Sequence, residues 1–264
     1  MNSILSTVKS FYHKLGSFPW FYKFSSKFIP IVFILGFPIF FLGIIWGIYF
    51  SPTDVTQGEI YRIIYLHVPA ASVAQTVYFA MAIAGFVYVV WKMKMAGLFI
   101  YAMAPIGASF TILALISGAI WGQPTWGTWW IWDARLTSTL VLLLFYLVII
   151  GLYSSFDNKK SADQAVSILT MVGAINLPII KKSVDWWNTL HQPATIKVFS
   201  ESSIANEMLY PLLICIFSFY ILVFLFGLMA MRAEIAKREL NKSWFKNLIP
   251  VSYTHLTLPT KRIV

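Results

Sequence analysis

The chain has 264 residues, of which 59% are hydrophobic and only 11% are charged, and its mean hydropathy is +0.74. This composition excludes a water-soluble domain of the same size and predicts an all-α integral membrane protein. The formal net charge of +10 does not indicate a nucleic-acid-binding protein, because the basic residues fall mainly in one set of loops.

Six apolar segments are long enough to cross a bilayer as helices. They cover approximately residues 29–50, 66–91, 97–121, 137–156, 162–180 and 208–231. The first is too long for the apolar part of a cleaved signal peptide and is predicted to be a retained span. The fifth contains Asn176 and Pro178, which predict a kink. Residues 1–249 are therefore expected to form one membrane domain, and the polar tail 250–264 is expected to be disordered or non-native.

The distribution of Lys and Arg predicts the orientation of these spans. With the N-terminus inside, the segments facing the cytoplasm hold 13 basic residues and the three outer loops hold 5. The positive-inside rule therefore places both termini in the cytoplasm or its equivalent. The outer loops are then residues 51–65, 122–136 and 181–207. The middles of the spans contain no ionisable residue and the chain has no phosphate-binding loop, so coupling to ions or ATP is expected to need a partner.

The second outer loop contains five tryptophans within twelve positions. The sequence of residues 121–138 is WGQPTWGTWWIWDARLTS, and the tryptophans are Trp121, Trp126, Trp129, Trp130 and Trp132. Their flat apolar faces predict a platform for a large planar ligand, with Asp133 and Arg135 as a charge pair at its edge. The alternative is an aromatic belt at the membrane surface. A belt should populate both interfaces, whereas the predicted topology puts eight tryptophans outside and three inside.

The spacing within this loop also predicts its local structure. Trp126, Trp129, Trp130 and Asp133 follow a helical repeat, which predicts a short amphipathic helix in the interface plane. Gly122, Pro124 and Gly127 are expected to break the chain ahead of it.

Two of the four histidines, His67 and His191, fall on the predicted outer face. Each precedes a proline by two residues, Pro69 and Pro193, so each is expected just before a rigid feature such as a helix start. A helix N-terminus near His67 would favour the neutral imidazole that binds iron. The alternative is that each is a structural residue held by hydrogen bonds.

The first outer loop adds a polar set ahead of His67, formed by Asp54, Gln57 and Arg62. Arg62 is predicted either to bind a carboxylate of the ligand or to anchor the loop to lipid phosphate. The single cysteine, Cys215, excludes an internal disulfide and a C-x-x-C-H haem-attachment site.

The tryptophan loop, ending in W-D-x-R-L-T, resembles the WWD motif of the haem-handling membrane proteins of cytochrome c maturation. Six spans, one such loop and two outer histidines resemble the haem exporter protein C (CcmC) family over residues 29–240. The resemblance implies a binding site for haem b with His67 and His191 as axial iron ligands. It also implies that the tryptophans, Asp133, Arg135, Asp54, Gln57 and Arg62 surround the porphyrin.

The same resemblance implies a function and a set of partners. The protein is expected to hold haem at the outer face of a bacterial inner membrane, or of some mitochondrial inner membranes, and to deliver it to the haem chaperone CcmE. CcmD would be a small stabilising subunit, and the CcmA–CcmB ATPase complex would release the loaded chaperone. The protein is expected to be an assembly and transport protein rather than an enzyme, although it could assist covalent haem attachment to the chaperone. The alternatives are a transmembrane haem channel and an aromatic-rich structural subunit.

Overall fold

The computed structural model describes residues 14, 16–192 and 204–248, and all regular structure in these residues is helical. The predicted tail 250–264, His13, Pro193 and His255 lie outside the described residues. The helices are α1 (Phe18–Ile45), α2 (Ile64–Trp91), α3 (Lys94–Trp126), α4 (Ala134–Ser154), α5 (Lys159–Gly173), α6 (Asn176–Trp186), α7 (Asn206–Glu239) and α8 (Ser243–Leu248). A π-helical turn, Trp46–Phe50, extends α1, and a 3-10 turn, Glu59–Ile63, precedes α2.

Six helical stretches are long and apolar enough to cross a membrane, which confirms the six predicted spans. They are Phe18–Phe50, Glu59–Trp91, Lys94–Trp126, Ala134–Ser154, Lys159–Trp186 and Asn206–Glu239. Most extend beyond the predicted apolar segments, because turns with mixed composition at their ends remain helical. The order of the spans puts the loop after α1, the loop after α3 and the segment after α6 at the same end of the bundle, here called the loop end. Which membrane face the loop end occupies stays a prediction.

The fifth span is broken, as its sequence predicts. Helix α5 ends at Gly173, and α6 begins two residues after Ala174, at Asn176. The Asn176 side chain is buried and donates from Nδ2 to the Ser138 carbonyl oxygen at 2.8 Å. Pro178 lies in the first turn of α6, where a missing N–H costs little. The break is thus stabilised by a contact with α4 that satisfies the polar side chain.

The core lies where α2 packs against α3, α5 and α7. The Tyr146 hydroxyl of α4 donates to the Ala74 carbonyl oxygen of α2 at 2.7 Å. Gly107 of α3 permits this close packing, because a Cβ there would lie 2.2 Å from Cζ of Tyr146. Helix α1 packs mainly along α7 and exposes much of its apolar surface, as expected for a lipid-facing helix.

A buried ionic cluster joins three spans at the opposite end of the bundle. Arg238 of α7 donates two hydrogen bonds of 3.0 Å to the Asp163 carboxylate of α5, and one of 3.1 Å to Glu234 Oε1. The Tyr153 hydroxyl of α4 accepts from Arg238 and donates to Glu234 Oε1 at 3.1 Å. One guanidinium therefore compensates two buried carboxylates and fixes the relative positions of α4, α5 and α7.

Candidate functional site

His67 lies at the loop end of α2, where its ring is held against α3. The ring centroid is 5.6 Å from that of Trp121, and the two rings meet edge to face. Nδ1 of His67 lies 3.0 Å from Oγ of Ser117, which is buried one turn before Trp121. The ring thus has an aromatic neighbour on one side and a hydrogen-bond partner on the other.

The position of His67 corrects one sequence prediction. The histidine does not precede a helix start, because α2 begins at Ile64 and includes both His67 and Pro69. Pro69 is tolerated near the beginning of α2, since its missing N–H leaves only a carbonyl of the first turn without its helical partner. His67 is consequently fixed by a continuous helix rather than by a proline-restricted loop.

The loop after α1 contacts the same site through Gln57. Its Oε1 accepts from Trp121 Nε1 at 2.6 Å, which orients the indole that packs on His67. Asp54 holds this part of the loop in a turn, because its Oδ1 accepts from the backbone N–H groups of Thr56 and Gln57. Burial raises the pKa of Asp54, but these hydrogen bonds more than offset it and the net pKa is lowered.

His191 lies in the segment after α6 and packs on the end of α3. Its ring centroid is 5.0 Å from that of Trp126, the last residue of α3. Its Nδ1 lies 3.4 Å from Asp133 Oδ2, and its backbone N–H donates to Oγ1 of Thr189 at 3.1 Å. The last turns of α3 therefore carry the aromatic neighbours of both histidines.

Asp133 connects three parts of the site. Its Oδ1 caps the N-terminus of α4 by accepting from the Leu136 N–H at 2.7 Å. Its Oδ2 accepts a hydrogen bond from the Thr189 hydroxyl and faces Nδ1 of His191. The carboxylate thereby links the start of α4 to the segment that carries His191.

Burial favours the neutral form of His191. Burial lowers its pKa below the usual value of 6.5, and Arg135 lowers it further, while the Asp133 carboxylate opposes both effects in part. Its Nδ1 is buried and makes no aligned hydrogen bond within the described residues. A neutral imidazole is the form that can donate a lone pair to a metal.

The predicted amphipathic helix in the tryptophan loop is wrong. Helix α3 continues through Gly122 and Pro124 to Trp126, and residues 127–133 are not helical. Gly127, with φ of 77°, ends α3 in a left-handed conformation that favours glycine. The helical repeat of tryptophans therefore does not form one face.

The five tryptophans divide into two in helix α3 and three in the non-helical residues that follow it. Trp121 and Trp126 belong to α3 and pack against the histidines. Trp129 and Trp132 are exposed, the latter by 77%. Trp130 packs edge to face on Trp132 at 5.5 Å, and its buried Nε1 has no hydrogen-bond acceptor among the described residues. This indole N–H is a donor that an acceptor on a ligand could satisfy.

The two predicted arginines contact protein groups. Arg135 Nε donates to Ser183 Oγ of α6 at 3.2 Å, while the Asp133 carboxylate contacts Leu136, Thr189 and His191. Asp133 and Arg135 make no direct ion pair among the described residues, and their role as charges at the edge of the platform stays a prediction. Arg62 pairs with Glu59 at 2.5 Å and donates to the Ile48 carbonyl oxygen, which anchors the 3-10 turn to the end of the first span.

Sequence reasoning missed Ser117, Thr189 and Ser183. They touch His67, Asp133 and Arg135, respectively, across separations of at least 48 residues. Ser117 and Ser183 lie in spans, where such residues usually bond to their own helix, and Thr189 lies in the segment after α6, so the sequence carried no signal for these contacts.

The site offers two histidines as metal ligands. The described residues contain no cluster of three or more His, Cys, Asp or Glu side chains that could hold a metal ion. A metal bound by His67 and His191 would have to bring its other ligands with it, as haem iron does. The aromatic neighbours and the unsatisfied indole N–H fit a large apolar ring with acceptor groups at its edge.

Comparison with known families agrees with this chemistry. The family model described as CcmC, heme exporter protein C, matches residues 11–246. The chain belongs to the CcmC family. It is 48% identical over 237 residues to heme exporter protein C of Escherichia coli K12, covering 90% of this chain and 96% of that protein.

Other relatives extend the similarity. Heme exporter protein C of Haemophilus influenzae is 46% identical over 227 residues, covering 86% of this chain and 92% of that protein. A putative cytochrome c biosynthesis ccmC-like mitochondrial protein of Marchantia polymorpha is 45% identical over 194 residues, covering 74% and 82%. Membership of the CcmC family supports a role in haem handling for cytochrome c biogenesis by a multi-pass membrane protein.

Proposed function

We propose that this chain holds haem b at the periplasmic face of the inner membrane and delivers it to the haem chaperone CcmE. The observation that carries the proposal is the placement of two histidines at one end of α3. His67 and His191 pack there on Trp121 and Trp126 of the same helix. Family membership supports haem as the cargo.

In this proposal His67 and His191 would supply the two protein ligands of the haem iron. Trp121 and Trp126 cover the apolar ring, and the Nε1 group of Trp130 donates to a propionate. The exposed Trp129 and Trp132 leave an edge at which the chaperone reaches the haem.

The remaining predicted residues support this arrangement from outside. Gln57 and Asp54 keep Trp121 in place through the loop after α1. Asp133 supports His191, and Arg135 adds positive charge near the site. Arg62 anchors the 3-10 turn through Glu59, which we assign as its main role.

The partners follow from the same proposal. CcmD is a small stabilising subunit, the CcmA–CcmB ATPase complex supplies the energy that releases the loaded chaperone, and the chain itself acts as a transport and assembly protein. We place the protein in the bacterial inner membrane, with a mitochondrial inner membrane as the alternative suggested by the Marchantia relative. Surrounding lipid covers the exposed apolar faces, and no nucleic acid takes part.

A holder fits the distribution of charge better than a channel through the bilayer does. The buried acidic side chains of the described spans, Asp163 and Glu234, are neutralised by Arg238 at the end opposite the histidines. The core between the two ends consists mainly of apolar and tyrosine side chains. A dianionic porphyrin would find few polar groups along such a path.

The experiment is the absorption spectrum of the full chain purified with its bound haem. The wild-type protein should give a six-coordinate low-spin spectrum, and His67→Ala or His191→Ala should each weaken it or make it five-coordinate. Imidazole added to either variant should restore part of the native spectrum. His13→Ala is the control, since His13 precedes the first span. Native spectra in both variants would refute the assignment of the ligands.

A reporter fusion tests the face of the membrane. A fusion at Thr128 should report the outer side and one at Asn158 the inner side. An inner reading at Thr128 would contradict delivery to a chaperone that acts outside.

A further inference from the structure

The geometry points to Ser117 as the residue that positions His67 for iron, by holding the imidazole proton on Nδ1 and directing the lone pair to Nε2. The inference deepens the proposed function and rests on it, because it concerns one of the two proposed ligands. Neither the tryptophan motif nor the histidine pattern includes Ser117.

The Ser117 hydroxyl donates its proton within its own helix. Oγ of Ser117 lies 2.6 Å from the carbonyl oxygen of Leu113 and 3.2 Å from that of Ala114, both on its own helix. Two oxygen atoms 2.6 Å apart require a proton between them, and a carbonyl oxygen can only accept, so the hydroxyl donates to Leu113. The single hydroxyl proton is therefore already used when His67 approaches.

The Ser117 oxygen in turn decides which nitrogen of the His67 ring carries the proton. With its proton used, Ser117 Oγ can only accept from Nδ1 of His67, which lies at 3.0 Å. Nδ1 must therefore carry the proton, and in the neutral ring Nε2 keeps the lone pair.

His67 needs a hydrogen-bond acceptor at Nδ1 if Nε2 is to bind iron. A neutral imidazole in water prefers its proton on Nε2, which would block that nitrogen as a ligand. Metal-binding histidines commonly donate the other ring N–H to a protein acceptor, which fixes both tautomer and ring orientation. Nδ1 of His191 lies 3.4 Å from the Asp133 carboxylate without a hydrogen bond among the described residues. Ser117 gives His67 a neutral acceptor from the centre of the fold.

The His67 ring is also held in place by residues on either side of Ser117. Ser117 is 2% exposed and lies one turn before Trp121, the other neighbour of the His67 ring. Gly118 lies beside it, and a Cβ there would be 3.0 Å from His67 Cε1. Helix α3 therefore fixes the His67 ring in three ways. Ser117 forms a hydrogen bond with it, Trp121 packs against it, and the backbone at Gly118 limits its movement.

The test measures the tautomer directly, without haem. The full chain is labelled with ¹⁵N-histidine, purified without haem, and its ring nitrogens are observed by NMR, with His67→Asn used to assign the signals. We expect wild-type His67 to have a protonated Nδ1 and an unprotonated Nε2. Ser117→Ala should lower the ratio of this tautomer to the other on the order of fivefold, the factor expected for one hydrogen bond.

Controls separate the hydrogen bond from a packing defect. Ser218→Ala removes an equally buried hydroxyl that bonds only its own helix, to Cys215 O, and should leave the His67 signals unchanged. Ser117→Thr keeps the hydroxyl and should restore the wild-type tautomer. If Ser117→Thr fails to fold, the comparison of Ser117→Ala with Ser218→Ala still decides.

The haem-bound protein gives the second readout. Ser117→Ala should weaken the low-spin spectrum and shift the reduction potential of bound haem, whereas Ser218→Ala should do neither. A wild-type His67 protonated on Nε2, or no tautomer change in Ser117→Ala, would overturn the inference. Normal NMR results together with a haem spectrum insensitive to His67→Ala would instead refute the proposed function, so the two failures are distinguishable.

Discussion

Replacing Asp133 with asparagine tests whether its carboxylate supports His191. The variant keeps an oxygen for the Leu136 N–H, because asparagine is as good an N-cap as aspartate. The cap then directs the NH2 group to the position of Oδ2, toward the Thr189 hydroxyl and His191 Nδ1. An acceptor thus becomes a donor, which favours the histidine tautomer with its proton on Nε2.

The expected loss is large enough to measure. Removing such a partner of a metal-binding histidine typically weakens metal binding about 10- to 100-fold, which corresponds to about 1.4–2.8 kcal/mol. We expect Asp133→Asn to lose haem affinity in this range while its thermal unfolding changes little. Asp133→Ala should lose the affinity and also about 1 kcal/mol of stability, because it removes the cap as well.

The assay is titration of the haem-free, detergent-solubilised protein with haem, followed by absorbance. Asp185→Asn is the matched control, since Asp185 is exposed at the same end of the bundle and pairs with Lys182. The reasoning fails if Asp133→Asn binds haem as tightly as the control and with the same spectrum.

Three further predictions concern the packing around the site and the opposite end of the bundle. Trp126→Leu should weaken haem binding by about 1–2 kcal/mol through lost contact with His191, whereas the exposed Trp132→Leu should weaken it less. Equal losses for the two variants in a haem-transfer assay would contradict this prediction. Gln57→Leu leaves the Trp121 indole N–H without its acceptor and should destabilise the loop end by about 1–3 kcal/mol, which thermal unfolding can measure; an unchanged melting curve would contradict it. Arg238→Met leaves two buried carboxylates uncompensated and should lower the free energy of unfolding by about 3–5 kcal/mol, measured by unfolding in detergent. An effect no larger than that of Lys237→Met would be inconsistent with the role of the ionic cluster.

The spans could be predicted because their determinants are local. An apolar run of sufficient length has no stable alternative to a helix in a bilayer. The break in the fifth span could be predicted for the same reason, since Asn176 and Pro178 disturb the helix wherever the span packs. The histidines, the tryptophans and Asp133 stood out because their residue types suggest a ligand.

The contacts between these residues could not be predicted, because each depends on distant packing. Helix α3 continues through Gly122 because the absent side chain makes room for the Trp126 ring; a Cβ at Gly122 would lie 2.9 Å from it. The glycine expected to end the helix therefore allows its last turn to pack. The pairing of His67 with Ser117 joins α2 to α3 across 50 residues, and no local pattern encodes it.

The broken fifth span gives the two histidines different kinds of support. His67 belongs to an unbroken helix at the centre of the bundle, whereas His191 follows α6, which is separated from α5 by the break at Gly173–Asn176. The Arg238 cluster ties α5 to α4 and α7 at the far end, but α6 lies beyond the break. Helix α6 is instead tied to α4, by Asn176 on the Ser138 carbonyl oxygen and by Ser183 on Arg135. The two histidines thus depend on different neighbouring helices, since α3 holds His67 through Ser117 and α4 holds the segment of His191 through Asp133.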